Sequence, residues 1–218
     1  MEPEALLCSM FEGSDLAHGQ TLLSTKVDAK GKIEARHWTV KEPATPEKWA
    51  EHLKGGTILG LSPINSKNTC RWGAIDIDIY KSPELHVIIA TKLAETSIKA
   101  ITTYSKSGGV HIFVVLDDYI PAETFVTRLQ EIAAYVGHAT AEIFPKQTTI
   151  QPAGKDNTQD YGNWINVPFW GGRQQIVLRG SGETVEALSF KEFIEKHAEF
   201  INKAETFVAA DMPTKDNL

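Results

Sequence analysis

Ala74-Ile75-Asp76-Ile77-Asp78-Ile79-Tyr80 alternates isoleucine and aspartate from Ile75 to Ile79. In a β-strand successive side chains point to opposite faces, so Ile75, Ile77 and Ile79 point one way and Asp76 and Asp78 the other. The isoleucines demand a buried face. The two carboxylates then lie side by side on the opposite face, roughly 6–7 Å apart at about 3.3 Å of rise per residue. Like charges at that separation repel, and a raised pKa or a bound cation relieves the repulsion. Hard carboxylate oxygens suit magnesium or manganese. A plain amphipathic strand with one solvated face would show the same alternation, but Asp is depleted in strands and two of them in mid-strand need a reason. We therefore take Asp76 and Asp78 as candidate metal ligands.

Upstream, residues 20–41 predict two strands joined by a polar hairpin tip at Asp28-Ala29-Lys30-Gly31-Lys32. Thr45 and Pro46 open a short helix through EKWAEHL, ended by Gly55-Gly56, and ILGLSPI is a further strand. Downstream, Ser82-Pro83-Glu84 starts a helix through HVIIATKLAETSI. AITTYS and VHIFVVL are strands flanking a turn at Lys106-Ser107-Gly108-Gly109. A third helix, AETFVTRLQEIAAYV, closes at Gly137, and AEIF is a strand. After a polar loop around Gly154, Lys155, Asp156 and Asn157, NWINVPFW predicts a strand broken by Gly171-Gly172. Ser189 and Glu192 form a capping box for the last helix. Alternating strands and helices with hairpin-like pairs predict an α+β fold on a mostly antiparallel sheet flanked by helices.

The 218 residues, 42% apolar and 23% charged, suit one globular domain or two packed lobes. No apolar run nears the roughly 20 residues of a membrane span, and the acidic start MEPEALLCSMFEGSD lacks the features of a signal peptide. A cytoplasmic protein with no membrane partner is expected. Cys8 and Cys70 are isolated, which argues against a thiolate zinc site and a disulfide. The net charge of −6 opposes phosphate binding globally, although a carboxylate-rich metal site would itself produce such an excess.

Three further segments carry candidate chemistry. Tyr104-Ser105-Lys106-Ser107-Gly108-Gly109-Val110-His111 places hydroxyls, small residues and a cation before a strand, a plausible anion cradle in which His111 could donate to a phosphate oxygen. A polar hairpin with an incidental histidine would read the same way. Glu142-Ile143-Phe144-Pro145-Lys146-Gln147 offers a third carboxylate and a phosphate-reaching Lys146. In Gly162-Asn163-Trp164-Ile165-Asn166-Val167-Pro168-Phe169-Trp170-Gly171-Gly172-Arg173, aromatics beside an arginine suit either base stacking or ordinary packing.

In this order, paired acids, a Ser-Gly-His hairpin and a later acid, residues 55–175 resemble the archaeo-eukaryotic primase superfamily. The likeness is to its primase-polymerase branch of phages, plasmids and defence systems. Asp76 and Asp78 match the first family motif, Ser107 to His111 the second, Glu142 the third, and GNWINVPFWGG the Gly-Asn segment. Two departures are visible. The second motif is usually a tighter Ser-x-His, and the third acid is often Asp, which keeps Asp117 and Asp118, and less so Asp156 and Asp160, as reserves for Glu142.

The resemblance implies a primase-polymerase (RRM-like) catalytic core at about 71–205 with an N-terminal α/β lobe at about 1–70, and a tail or linker from 206. It implies DNA-templated nucleotidyl transfer with two Mg2+ or Mn2+ ions on Asp76, Asp78 and Glu142. His111 joins these as a catalytic residue. The nucleoside triphosphate would rest on Ser105, Lys106, Ser107, the amides of Gly108 and Gly109, and His111. Lys146, Arg173 and Arg71 would supply charge to nucleotide or template. Partners would be a single-stranded DNA template, a primer, dNTPs or NTPs, and a helicase or helical accessory domain, in a bacterial or phage-infected cytoplasm. Two other classes compete: a metal-dependent nuclease, and a non-catalytic replication-origin binding module, which would need a dense basic stripe.

Overall fold

The computed structural model describes residues 1–27, 33–80, 82, 84–105, 107–151, 159–172, 177–181 and 184–210. The hairpin tip at 28–32 and the loop residues Gly154, Lys155, Asp156 and Asn157 lie outside these residues. In chain order the elements are α1 (Pro3–Met10), β1 (His18–Val27), β2 (Ile33–Val40), α2 (Pro46–Leu53), β3 (Ile58–Leu61), β4 (Thr69–Ile77) and α3 (Glu84–Ala94). They continue with β5 (Ala100–Tyr104), β6 (Val110–Pro121), α4 (Ala122–Tyr135), β7 (Glu142–Phe144), β8 (Ile165–Asn166), β9 (Val177–Ser181) and β10 (Thr184–Leu188). The last are α5 (Phe190–Lys196), β11 (Ile201–Asn202) and α6 (Ala204–Ala209). The expected α+β architecture on antiparallel sheets is the one observed.

Two sheets form among the described residues: β2-β1-β3-β8, and β10-β9-β5-β6-β4-β7 with β11 running parallel beside β6. The smaller sheet is completed by β8, which comes from late in the chain and pairs with β3. On one face of the larger sheet, Ile75 and Ile77 of β4 and Ile112 and Val114 of β6 are buried with Ile89 and Leu93 of α3 and Phe125, Leu129 and Ile132 of α4. Gly73 permits this approach, because a Cβ there would stand 2.7 Å from Leu129 Cδ1. The other face carries Trp72, Ala74, Phe113 and Val115 against Leu7, Phe11 and Trp49. Phe11 sits at the centre of this cluster, with ring centroids 5.7 Å from Trp49, 5.4 Å from Trp72 and 5.6 Å from Phe113.

The expected helix starts, the closure of α4 at Gly137 (φ +92°) and the Ser189–Glu192 capping box are all present. Four expectations need correction. β4 ends at Ile77, where the Ile79 N–H donates to the Ile77 carbonyl at 3.0 Å and turns the chain, so Ile79 is 43% exposed and does not share the buried face. α3 ends at Ala94, short of the expected 98. Only Ile165–Asn166 of NWINVPFW is strand, since Phe169 takes φ +75°. Residues 206–210, expected as tail, belong to the packed fold: Phe207 is buried, and Arg128 donates to the carbonyls of Phe207 at 3.0 Å and Ala210 at 2.5 Å. No helix among the described residues is long and apolar enough to cross a membrane.

One buried histidine ties the smaller sheet to the segment after β8. His52 accepts from the Leu59 N–H through Nδ1 at 3.0 Å and donates through Nε2 to the Pro168 carbonyl at 2.8 Å, which fixes it as the neutral Nε2–H tautomer. Burial pushes its pKa from 6.5 down to about 4, against a smaller upward pull from the Pro168 carbonyl. The folded-state pKa is depressed, so nothing is lost above pH 6.5, where both states are neutral. Below that pH the unfolded chain takes up a proton that the folded chain refuses until about pH 4. Stability should therefore fall by about 3 kcal/mol across this window from His52 alone. Urea midpoints measured from pH 7 to 4 should show the decline, and His52→Gln should flatten it; a parallel decline in the variant would remove His52 as the cause.

Candidate active site

The pairing of three strands builds the centre of the site. Asp76 on β4 lies opposite His111 on β6 and, on its other side, opposite Glu142 on β7. Thr103 on β5 lies opposite His111 in turn. Residues directly opposite across strands share a face and stand about 5 Å apart, so Thr103, His111, Asp76 and Glu142 form one row. This is the face away from Ile75 and Ile77, just beyond the last positions covered by the aromatic cluster. His111 is buried, with Nε2 3.3 Å from Asp76 Oδ1 and its ring edge-on to Phe113 at 5.7 Å.

Asp78 lies one residue past the strand end and is exposed, and the Tyr80 hydroxyl donates to its Oδ1 at 2.5 Å. Glu142 is exposed and paired with Lys146 at 2.8 Å, whose ammonium also sits over the Phe144 ring at 5.1 Å. Asp76, Asp78, Glu142, His111, Ser105 and Ser107 all line a single cleft of about 470 Å³. Its other wall comes from the smaller sheet and β8, through His37, Thr39 and residues 162–166. His37 and Thr39 sit in a strand whose residues carry no functional signature, and Tyr80 stands out only because it follows the paired acids.

The hairpin between β5 and β6 is tight. Ser105 N–H donates to the Gly109 carbonyl at 2.7 Å, Gly108 N–H to the Ser105 carbonyl at 3.0 Å, and Gly109 N–H to Ser105 Oγ at 2.9 Å. The amides of Gly108 and Gly109 are thus consumed inside the turn, which corrects the expectation that they cradle phosphate. The hydroxyls remain on the cleft wall, Ser107 Oγ also accepting from Ile33 N–H of β2 at 3.2 Å. From behind, buried His86 meets the Gly109 carbonyl through Nε2 at 3.1 Å and stacks on Tyr104 with centroids 3.6 Å apart.

Other candidates fall elsewhere. Lys106, Arg173 and Asp156 lie outside the described residues. Arg71 is spent on the Leu116 carbonyl at 3.2 Å and approaches Glu12 at 3.9 Å, away from the cleft lining. Asp117 and Asp118 sit at the far end of β6, roughly 20 Å along the strand from His111. Asp117 holds Lys203 at 2.7 Å and the Ala204 N–H at 2.9 Å, and these partners keep its carboxyl below the ordinary carboxylate range. Asp118 accepts from its neighbour's N–H at 2.7 Å. Asp160 organises its own loop, accepting from Gln147 at 3.1 Å and Gly162 N–H at 2.9 Å. Among the described residues no three His, Cys, Asp or Glu side chains are gathered closely enough to hold an ion as they stand. In kind, however, the cleft's donors are oxygen-rich carboxylates suited to Mg2+ or Mn2+.

Fold and site together define a primase-like member of the nucleotidyltransferases. The family model of the archaeo-eukaryotic primase domain of TOTE conflict systems matches residues 20–177, more than half of the chain, and the chain belongs to that family. The match reaches further toward the N-terminus than the resemblance read over 55–175. No curated protein matches the chain.

Gly109 tests how tightly the hairpin is set. A Cβ there would lie 2.7 Å from the Ile77 carbonyl oxygen, so Gly109→Ala must push the turn off the end of β4. A loss of about 1–3 kcal/mol in urea denaturation is expected, typical of forced overpacking. An unchanged midpoint would show that the turn has room to move.

Proposed function

We propose that this chain is a DNA primase-polymerase that adds nucleotides to a 3′-hydroxyl on a single-stranded DNA template. The observation that carries the reading is the register placing Asp76 between His111 and Glu142, in one cleft with Asp78, Ser105 and Ser107. Membership of a primase family supports it. In this reading Asp76 and Asp78 hold two Mg2+ or Mn2+ ions, and Glu142 joins them by turning from Lys146. Bound there, the ions would lower the pKa of the attacking hydroxyl and neutralise charge on the leaving pyrophosphate.

The protein's own groups position the nucleotide. The hydroxyls of Ser105 and Ser107 and the imidazole of His111 donate to triphosphate oxygens, with the Asp76 carboxylate beside His111 favouring an N–H at Nε2. Lys146, released from Glu142, adds a cation at the same rim. Lys106 and Arg173 are assigned to phosphate and template contacts. Whether dNTPs or NTPs are taken, and whether a helicase or helical accessory domain assists priming, is read out by the same assay with each nucleotide and with primer omitted.

A labelled primer–template with nucleotides and Mg2+ or Mn2+ should be extended, and chelation should stop it. Asp76→Ala should lower extension on the order of a thousandfold or more while leaving the thermal midpoint within a few degrees. Extension that survives Asp76→Ala removes the metal assignment. Shortening of the primer would point to a nuclease, and DNA retention with no change in length to a binding module.

A further inference from the structure

Trp164 is seated on the wall opposite the acidic row. Thr39, Gly19, Gly60 and Asn166 lie in register across β2, β1, β3 and β8, so the middle of that row carries no side chains. The indole lies flat in the gap. A Cβ on Gly19 would stand 2.1 Å from Trp164 Cδ2, and one on Gly60 2.2 Å from Cε3. Its Nε1–H donates to Thr39 Oγ1 at 3.3 Å, which fixes the ring's rotation. With one face on the sheet and the residue only half-buried, the other face lines the cleft. His37, 5.8 Å away and tilted by 54°, stands beside it.

The neighbouring aromatics are spent elsewhere. Phe169 is buried and stacks on Phe193 at 4.9 Å, and Trp170 donates to the Gly56 carbonyl at 2.6 Å. Trp164 alone of this group presents a rigid π face to the cleft that holds Asp76, Ser105 and Ser107. We infer that Trp164 is the platform on which the base of the incoming nucleoside triphosphate stacks. This rests on the nucleotide-binding reading above. The triphosphate lies toward the Ser105–His111 hairpin, and the base crosses the cleft to the indole. Stacking is indifferent to base identity, because every base has a π face. The template therefore, and not this wall, selects the nucleotide.

The test is calorimetric titration of the full chain, with Mg2+ and without DNA, using a nucleoside triphosphate and, separately, inorganic tripolyphosphate. Trp164→Leu keeps apolar cover over Gly19 and Gly60 but lacks a π face, while Trp164→Phe keeps one. Nucleoside triphosphate affinity should fall roughly tenfold or more in Trp164→Leu and largely persist in Trp164→Phe. Tripolyphosphate affinity should be the same in all three proteins, and purine and pyrimidine nucleotides should respond alike. Equal nucleotide affinity in the parent and Trp164→Leu overturns the platform alone. A parallel loss of tripolyphosphate binding also overturns it, by showing that the indole acts through the structure of the cleft. If the parent binds neither probe, the nucleotide-binding reading falls and the platform falls with it.

Discussion

The antiparallel register of β4 between β6 and β7 governs the rest of the structure. Strand side chains alternate with a period of two, so a slip of one residue would exchange Asp76 for Ile75 or Ile77 on the cleft face. Ile75 and Ile77 are 0% and 2% exposed beneath α3 and α4. Burying each contributes roughly 1.5–3 kcal/mol, and a slip would forfeit both while driving a carboxylate into a hydrocarbon core. The position of the acid is thus fixed by the hydrophobic residues on either side of it. His111 and Glu142 inherit their places from the same pairing, and none of the three depends on a loop for its backbone position.

The same face is dry at one end and open at the other. Phe11, Trp49, Trp72 and Phe113 cover it up to Phe113 on β6, two residues before which comes His111. Asp76 and His111 therefore stand at the border of a packed core, with side-chain exposures of 19% and 7%. Charges at such a border act through a lower effective dielectric than surface charges and feel their partners more strongly. Asp76, Asp78 and Glu142 line this cleft together, and an unneutralised cluster of that sign would repel a triphosphate. In the function proposed above, divalent cations would resolve the conflict and let an acidic chain of net charge −6 serve a polyanionic substrate.

The period-two alternation at 74–80 was legible because burial on one face writes directly into sequence. The row it predicted was half of the answer, since Asp78 leaves the strand through a turn that no composition rule signals. The Ser105–Gly109 hairpin was legible as a hairpin, but not the direction of its amides, which depends on how the turn closes on Ser105. The aromatic segment at 162–173 could be noticed but not sorted. Trp164 faces the cleft because Gly19 and Gly60 meet in register on separate strands, a coincidence of pairing invisible from either glycine alone. α1, the β9–β10 pair and α6 escaped the sequence reading because they are short and held mainly by tertiary burial, as at Leu7, Leu188 and Phe207.

One continuous stretch links both walls of the cleft. Glu142 begins it on the larger sheet, and Trp164 and Asn166 end it on the smaller one. Its far end is not anchored by β8 alone, which is only two residues long. The Val167 N–H donates to the Leu59 carbonyl at 3.0 Å, and His52 bridges Leu59 N–H to the Pro168 carbonyl. A neutral, fully buried imidazole therefore ties the segment that carries Trp164 to β3. Protonating it would turn the Nδ1 acceptor into a second donor facing the Leu59 N–H, and would place an unpaired charge in a core. Keeping His52 neutral therefore preserves the attachment of the Trp164 segment to the smaller sheet.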